Sequence, residues 1–482
     1  MLMSLLKKIY YFLIISTTLY ICFYQLGLSS LADWDEAWYG EVAKQMLRSK
    51  EYIVPYWNGS VFFDKPPLYM WVTSFVAQFI GLNEFSVRFT SAVAGAITII
   101  LAFRYSLSKW GIIPSFLTFV TLSLNNIFIW RVRSGNLDAL TTLFIFLVYF
   151  VTISHHKYRH IFLGVLFSVI YLTKASLMGL PFVIFCSYEI IYRSRDIKIY
   201  WKRYLQMVLI IVVFVGGWLT LSSLKVGVSF VKYYLFASDQ GVMNLSLEFF
   251  KSNYLWHVYY SLQRRFFFVF CFGIIFLIPK IKKGTTFLLL ANGLALILFL
   301  SFTERDNNWY LLPSVPFWSL IIGYGTFRFI NLIPKIKYIL IITVLIPTLY
   351  VSQKTYRENI MPIIQTNSGS QLKEAAIYIS KNSEPNEVVI RLDQLYPSTI
   401  YYSDRVVHSA YDNEPRTGEG LFWSRDKAYK MIDNGSIHWV SGTTEDVENF
   451  KTKYEVNGEI IVVNEKESIL RAIPNTDRQS DI

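Results

Sequence analysis

Up to residue 352 the chain is built from eleven apolar runs, near 9–28, 85–107, 111–130, 136–153, 159–173, 176–193, 204–224, 258–279, 285–302, 309–329 and 336–352. A helix needs about 20 such residues to cross the hydrocarbon core of a bilayer, so the shorter runs must borrow flanking positions. With 53% hydrophobic residues and only 17% charged, the chain has too little polar surface for a soluble fold of 482 residues. Aromatics reach 17%, which suits side chains at headgroup level and between helices. The expected fold class is an α-helical polytopic membrane protein. Lys7 and Lys8 precede a first run that is long for a signal peptide and is followed by no small-residue cleavage pattern. It is expected to stay as the first span.

Charge sets the topology. The formal net charge is +12, but the Lys and Arg cluster in short loops between apolar runs, as orientation signals do. Nucleic acid is therefore not an expected partner. The segment 66–82 is a twelfth apolar candidate. If it lies in the interface, the loops holding Lys7/Lys8, Arg104/Lys109, Lys157/Arg159, Arg193–Arg203, Lys280–Lys283 and Arg328–Lys337 all share one side, which the positive-inside rule makes cytoplasmic. If it spans, the richest basic loops face outward. Eleven spans are expected, in the cell (inner or plasma) membrane with a cytoplasmic N-terminus. Residues 29–84, the loop 225–257, the turns at 131–138, 174–176 and 303–308, and the tail from about 353 then share the outer face.

The tail changes character. It is charged, contains turn-forming Glu-Pro, Asp-Asn and Asn-Gly pairs, and reads as strands near 387–392, 406–409, 437–440 and 459–463 with a helix near 424–432. Two domains are expected: 1–352 in the membrane, and 353–482 as a small extracytoplasmic α/β domain.

The first outer loop carries the chemistry-bearing residues: Asp33-Trp34-Asp35-Glu36-Ala37-Trp38-Tyr39-Gly40-Glu41, then Phe62-Phe63-Asp64-Lys65-Pro66-Pro67. From 35 to 48 the spacing predicts an interfacial helix with Trp38, Val42 and Met46 on one face and Glu41, Lys44 and Arg48 off it. Asp35 and Glu36 fall in its first turn, where the helix dipole favours ionised carboxylates. Asp33 reads as an N-cap acid, Asp35 as a candidate base. Lys65 sits before two prolines that fix the backbone, and suits either a lipid phosphate or a snorkelling anchor. Arg133 and Asp138 could pair with each other, Lys174 could snorkel, and Glu36 could be a solvated partner.

Three cysteines lie inside apolar runs and imply no disulfide framework. Six histidines, three of them at 155, 156 and 160, are not expected to form a structural metal site. No cofactor is required by the pattern; a divalent metal is an option only if Asp64 joins His257, and a tail histidine such as His408 or His438. No Gly-rich nucleotide cradle appears in the basic loops, which disfavours a cytoplasmic nucleotide sugar.

The stretches DEAWYGEVAKQML, PYWNGSVFFDKPPLYMW and GLNEFSVRFTSAVAG resemble the signature loop of aminoarabinose-transferase-like and protein-mannosyltransferase-like membrane glycosyltransferases, the GT-C architecture. The likeness continues through Arg133–Asp138, Leu172-Thr173-Lys174 and Trp309-Tyr310-Leu311-Leu312-Pro313, over roughly residues 30–330. It implies Asp35 as catalytic base, Lys65 on the carrier phosphate, Asp64 as a sometime metal ligand, Asp138 and Lys174 at span exits, and Tyr310 near the lipid phosphate. Trp38 stands where a basic residue is often found, Asp64 where some members have Glu, and Asp306 where a Lys is common, with Arg305 one position away.

A lipid-phosphate sugar is already activated. The protein must deprotonate an acceptor hydroxyl, align the anomeric carbon and stabilise the departing phosphate. The expected activity is thus inverting transfer from a polyprenyl-phosphate donor to a hydroxyl of a glycolipid, envelope glycan or protein, with membrane lipid as the surrounding partner. Asp35 is the base, with Glu36, Trp38 and Tyr39 beside it; Lys65, Arg133, Lys174 and Arg305 are the cations, and all are expected in one outer-leaflet pocket. The alternatives are a lipid-linked sugar transporter, which calls for charges buried within spans and for repeat symmetry, or a non-catalytic assembly subunit.

Overall fold

The computed structural model describes residues 2–234, 253–303, 306–365, 372–411 and 422–473. The chain divides into two compact units. The first takes residues 1–27, 52–54 and 63–366; the second joins 28–51 and 55–62 of the first loop to 367–482.

In chain order the α-helices of seven or more residues up to residue 365 are α1 (Leu2–Phe23), α2 (Asp35–Ser49, in the second unit), α3 (Leu68–Ile80), α4 (Glu84–Trp110), α5 (Ile112–Ser123), α6 (Asn126–Val132), α7 (Leu137–Ile153), α8 (Arg159–Thr173) and α9 (Gly179–Tyr192). They continue with α10 (Trp201–Val226), α11 (Tyr254–Ser261), α12 (Arg265–Leu277), α13 (Gly284–Leu300), α14 (Val315–Ile330) and α15 (Pro334–Gln365). Each of the eleven apolar runs forms helix. Among the described residues, five helices are long and apolar enough to cross a membrane: Leu5–Phe23, Glu84–Trp110, Ala175–Tyr192, Trp201–Val226 and Pro334–Gln365. Two bent pairs raise that to seven.

One of those breaks has a visible cause. Between α5 and α6 the axis turns by 64°. Asn125 caps α6 by accepting from Phe128 N at 3.0 Å, while its amide donates to Ser261 Oγ at 2.8 Å. Gln263 donates to the freed carbonyl of Leu124 at 2.7 Å. The backbone groups released by the break are thus re-satisfied, as an apolar surrounding demands. Small residues let other helices close up: a Cβ on Gly325 of α14 would lie 2.9 Å from the Cα of Gly273 in α12.

In the second unit a two-residue hairpin, β1 (Tyr56–Trp57) and β2 (Ser60–Val61), turns through Asn58 and Gly59, both at positive φ. The tail supplies α16 (Leu372–Asn382), β3 (Val388–Arg391), α17 (Pro397–Ser403), β4 (Val406–Tyr411), β5 (Phe422–Ser424), α18 (Arg425–Asp433), β6 (Trp439–Thr443), α19 (Thr444–Lys453), β7 (Gly458–Val462) and β8 (Glu467–Ala472). The sheet order is β5-β4-β3-β6-β8-β7; the first four strands run parallel, β8 runs antiparallel to β6, and β7 runs antiparallel to β8. Its two faces bury separate apolar clusters, one around Ile390, Val440 and Phe450 and one around Ile379, Val389 and Ile469. Arg391, 1% exposed, ties β3 to β8 through two bonds to Glu467 of 2.9 and 3.0 Å.

Candidate functional site

Asp138 opens α7 and is buried. Its Oδ2 accepts from Arg131 Nε at 2.8 Å, and its Oδ1 from Lys174 Nζ at 2.8 Å. Lys174 follows the last turn of α8 and Arg131 lies in the last turn of α6, so three helix ends meet on one carboxylate. Two cations thus share this carboxylate. Burial alone would pull Lys174 down, but the Asp138 carboxylate more than offsets it and holds the ammonium above its usual range. The Tyr310 ring lies 5.2 Å from Lys174 Nζ, and Arg131 stands over Trp130 and Trp309 at 5.1 and 5.8 Å.

Three of the residues singled out in the sequence are therefore brought together: Asp138, Lys174 and Tyr310. The pairing partner differs from expectation. Asp138 binds Arg131, while Arg133 donates to the carbonyls of Ile21 and Tyr24 at 2.8 and 2.9 Å, closing the end of α1. Arg88 does the same for Leu26 O at 2.9 Å. Residues two apart in a helix end point to opposite sides, and nothing in the spacing says which one faces Asp138. Lys174 points to Asp138 rather than snorkelling out.

Lys65 Nζ lies 3.2 Å from both the carbonyl and the carboxylate Oδ1 of Asp64. Phe63 packs on Phe230 and Tyr233 at 5.3 and 5.7 Å. Burial, with the Asp64 carboxylate and Tyr171 nearby, pushes the Tyr234 phenol well up. The stretch after α10 is thus folded against the Asp-Lys-Pro motif. His257 Nε2 lies 2.7 Å from Asp306 Oδ1. In the second unit His438 Nδ1 faces Glu387 at 3.1 Å and His408 stacks on Trp423 at 4.2 Å. Among the described residues no three His, Cys, Asp or Glu side chains gather to hold a metal, so no step is routed through one. Arg305 lies outside the described residues.

Asp35 and Glu36 belong to the second unit and open α2, as expected. Asp35 is half-buried and accepts from the Tyr39 hydroxyl at 3.4 Å. Glu36 is buried and accepts from Ala32 N at 2.8 Å, so it holds the turn that leads into the helix and is no solvated partner. Trp34, between Asp33 and Asp35, has φ 69° and ψ −112°, a backbone state costly for a bulky residue. Trp38 packs between Trp57 and Phe62 at 5.3 and 5.5 Å. The indole N–H groups of Trp38 and Trp57 are buried without a hydrogen-bond partner among the described residues.

The rest of α2 departs from an interfacial helix. Nine of its 15 residues are buried, including Glu41 and Lys44 from the face expected to be polar. Lys44 Nζ donates to Tyr401 O at 2.6 Å and pairs with Glu41 at 2.6 Å and Asp404 at 3.0 Å. Arg48 also pairs with Asp404. Asp33 accepts from Ser398 N at 3.0 Å, so it caps α17 of the tail and not its own helix.

Residues 64–218 match the family model of dolichyl-phosphate-mannose-protein mannosyltransferase. An uncharacterized protein of Aquifex aeolicus is 34% identical over 139 residues, 28% of this chain and 27% of that one. The undecaprenyl phosphate-alpha-4-amino-4-deoxy-L-arabinose arabinosyl transferase of Aeromonas hydrophila is 33% identical over 93 residues, 19% of this chain and 17% of that protein. The chain thus spans less than a third of the length of these relatives. Over the whole fold it superposes on ArnT from Cupriavidus metallidurans in the apo state with TM-score 0.75 at 14% identity, covering 96% of this chain and 98% of that one. The form of ArnT bound to undecaprenyl phosphate gives TM-score 0.74, also at 14% identity, over 95% and 97% of the two chains. The chain has the fold of ArnT, that of a multi-pass membrane protein. The likeness read from its first loop holds in the family match, the relatives and the fold.

Proposed function

We propose that this chain is a membrane glycosyltransferase that moves a sugar from a polyprenyl-phosphate carrier to an acceptor hydroxyl on the extracytoplasmic side, with inversion at the anomeric carbon. The observation that carries the reading is the Arg131–Asp138–Lys174 cluster beside Tyr310: two cations gathered on one buried carboxylate beside aromatic rings suit a phosphate monoester. Its likeness to ArnT, which binds undecaprenyl phosphate, supports the same donor class. In this mechanism Asp35 takes the acceptor proton as the oxygen attacks the anomeric carbon, and the carrier phosphate leaves with the bonding pair, its charge stabilised by Lys174, Arg131 and Lys65. The acceptor is a glycolipid, an envelope glycan or a protein.

The membrane arrangement we assign has eleven spans. They are the seven described above together with α7, α8, α13 and α14, while α3, with 13 residues, lies in the interface. Pairing across the bundle supports the parity. Lys174 reaches Asp138 only if α7 and α8 return the chain to the level it left. At the other end of α8, Arg159 pairs with Glu189 at 2.7 Å, and Tyr204 donates to the same carboxylate. These are the loops assigned to the cytoplasm, which leaves the N-terminus cytoplasmic and the tail outside.

The test is turnover by the purified full chain in lipid nanodiscs, supplied with a panel of undecaprenyl-phosphate sugars and read as release of undecaprenyl phosphate. Asp35→Asn is expected to lower turnover by about 10²–10⁴-fold while the protein inserts and folds normally. Retained turnover removes Asp35 as base. Failure of the unaltered protein on every lipid-phosphate sugar overturns the donor class.

A further inference from the structure

We infer that helix α17 of the C-terminal domain is a splint that sets the orientation of Asp35, with Asp33 and Lys44 as its two positioning residues. The inference rests on Asp35 being the base of the proposed reaction, but its geometry stands without that.

The helix that carries Asp35 is attached to α17 at both ends. At the start, Asp33 Oδ1 accepts from Ser398 N at 3.0 Å, and Leu31 N donates to the Tyr402 hydroxyl at 2.7 Å. Tyr396, the residue that precedes α17, makes no side-chain cap of its own, so the cap comes from a residue 365 positions earlier. Further along, Lys44 Nζ donates to Tyr401 O near the end of α17, and both Lys44 and Arg48 pair with Asp404, its left-handed C-cap. From Asp33 to Arg48 the contacts run from the N-terminus of α17 to its C-cap, so α2 lies along α17 in the same sense. The hairpin gives a third attachment. Asn58 donates to Val407 O at 2.8 Å and accepts from Val407 N at 2.9 Å, filling the stretch of β4 that β5 leaves open.

Asp35 sits one residue beyond Trp34, whose backbone is strained, and two beyond Asp33. Strain of this kind persists only where its surroundings over-determine it. Here the cap at Asp33 fixes one side of Trp34 and the Lys44 anchorage fixes the other. Without the cap, Trp34 can relax toward ordinary φ, which swings the start of α2 and moves the Asp35 carboxylate. Near the reacting atoms a shift of about 1 Å costs up to about 100-fold.

The experiment compares Asp33→Ala with Asp33→Asn in the full chain in nanodiscs. The asparagine amide oxygen still accepts from Ser398 N; alanine cannot. Asp33→Ala is expected to raise amide hydrogen exchange over residues 35–49 and 397–403, and to lower kcat for undecaprenyl-phosphate sugars about 10- to 100-fold with donor KM within about twofold. Asp33→Asn is expected to restore most of both. Unchanged exchange in Asp33→Ala overturns the splint. So does an Asp33→Asn variant as inactive as Asp33→Ala, because the carboxylate itself would then be needed. Exchange is read without turnover, so the splint is decided even if no lipid-phosphate sugar proves to be a substrate.

Discussion

Helix α8 carries a buried ion cluster at each end, and the two differ in how many cations share the carboxylate. At the Lys174 end two cations bind one carboxylate, beside two tryptophans and a tyrosine. At the Arg159 end one cation binds one carboxylate, which also accepts from the Tyr204 hydroxyl, and His160 Nε2 lies 3.2 Å from the same guanidinium. Fifteen residues of helix, about 22 Å, separate them. A one-to-one pair suits the pinning of helix ends. A carboxylate shared by two cations and flanked by aromatic rings suits the proposed carrier-phosphate site, and the two ends can be told apart by how they respond to that ligand.

Removing the carboxylate at each end should separate the two roles most sharply. Asp138→Asn removes the carboxylate that Arg131 and Lys174 share and is expected to cost about 3–5 kcal/mol of stability, measured by thermal unfolding in detergent. Added undecaprenyl phosphate should restore part of the loss by supplying the missing anion. Glu189→Gln is expected to destabilise by a similar or slightly smaller amount, and undecaprenyl phosphate should not rescue it. Rescue at both ends, or at neither, would break the distinction. Lys174→Met is expected to weaken undecaprenyl phosphate binding about 10- to 100-fold, as loss of a charged hydrogen bond does. Arg133→Met, whose guanidinium is occupied by the carbonyls of α1, should leave that affinity within about twofold in an equilibrium binding measurement.

The smallest effect lies in the second unit. Burial raises the Asp404 carboxyl, but Arg48 and Lys44 more than offset this and hold it below its ordinary value. A depressed acid contributes stability that is present above its unfolded value, about 3.9, and lost as the pH falls through the folded one. Glu41, pushed up by burial against the pull of Lys44, works in the opposite sense. The difference between the unaltered protein and Asp404→Asn isolates the first term. The variant's acid unfolding, followed by hydrogen exchange over 397–411, should show a shallower loss of stability below about pH 4.

The helices were legible because runs of apolar residues need no partner to be recognised. The break at Asn125 was not, since its cause lies in Ser261 and Gln263, more than 130 residues later. Asp138, Lys174 and Tyr310 could be named from motif and side of membrane, but Arg131 could not be chosen over Arg133 without the geometry of a helix end. In the tail, β3 and β4 start within one residue of expectation, whereas β5 and β8 were missed: Phe422–Ser424 is three residues long, and Glu467–Ala472 begins with a buried acid paired to Arg391. The spacing places Glu41 and Lys44 off the apolar face of α2, and nothing near them in the sequence shows what covers them. Tyr401 and Asp404, which bury that face, lie some 360 residues further on.

That separation orders the protein's assembly. The ribosome makes α2 within the first fifty residues, and the helix that receives it emerges only after some 350 more. Until then Glu41 and Lys44 lack the partners that bury them, and a chain that ends before α17 is expected to leave α2 unanchored even when its membrane segments have inserted.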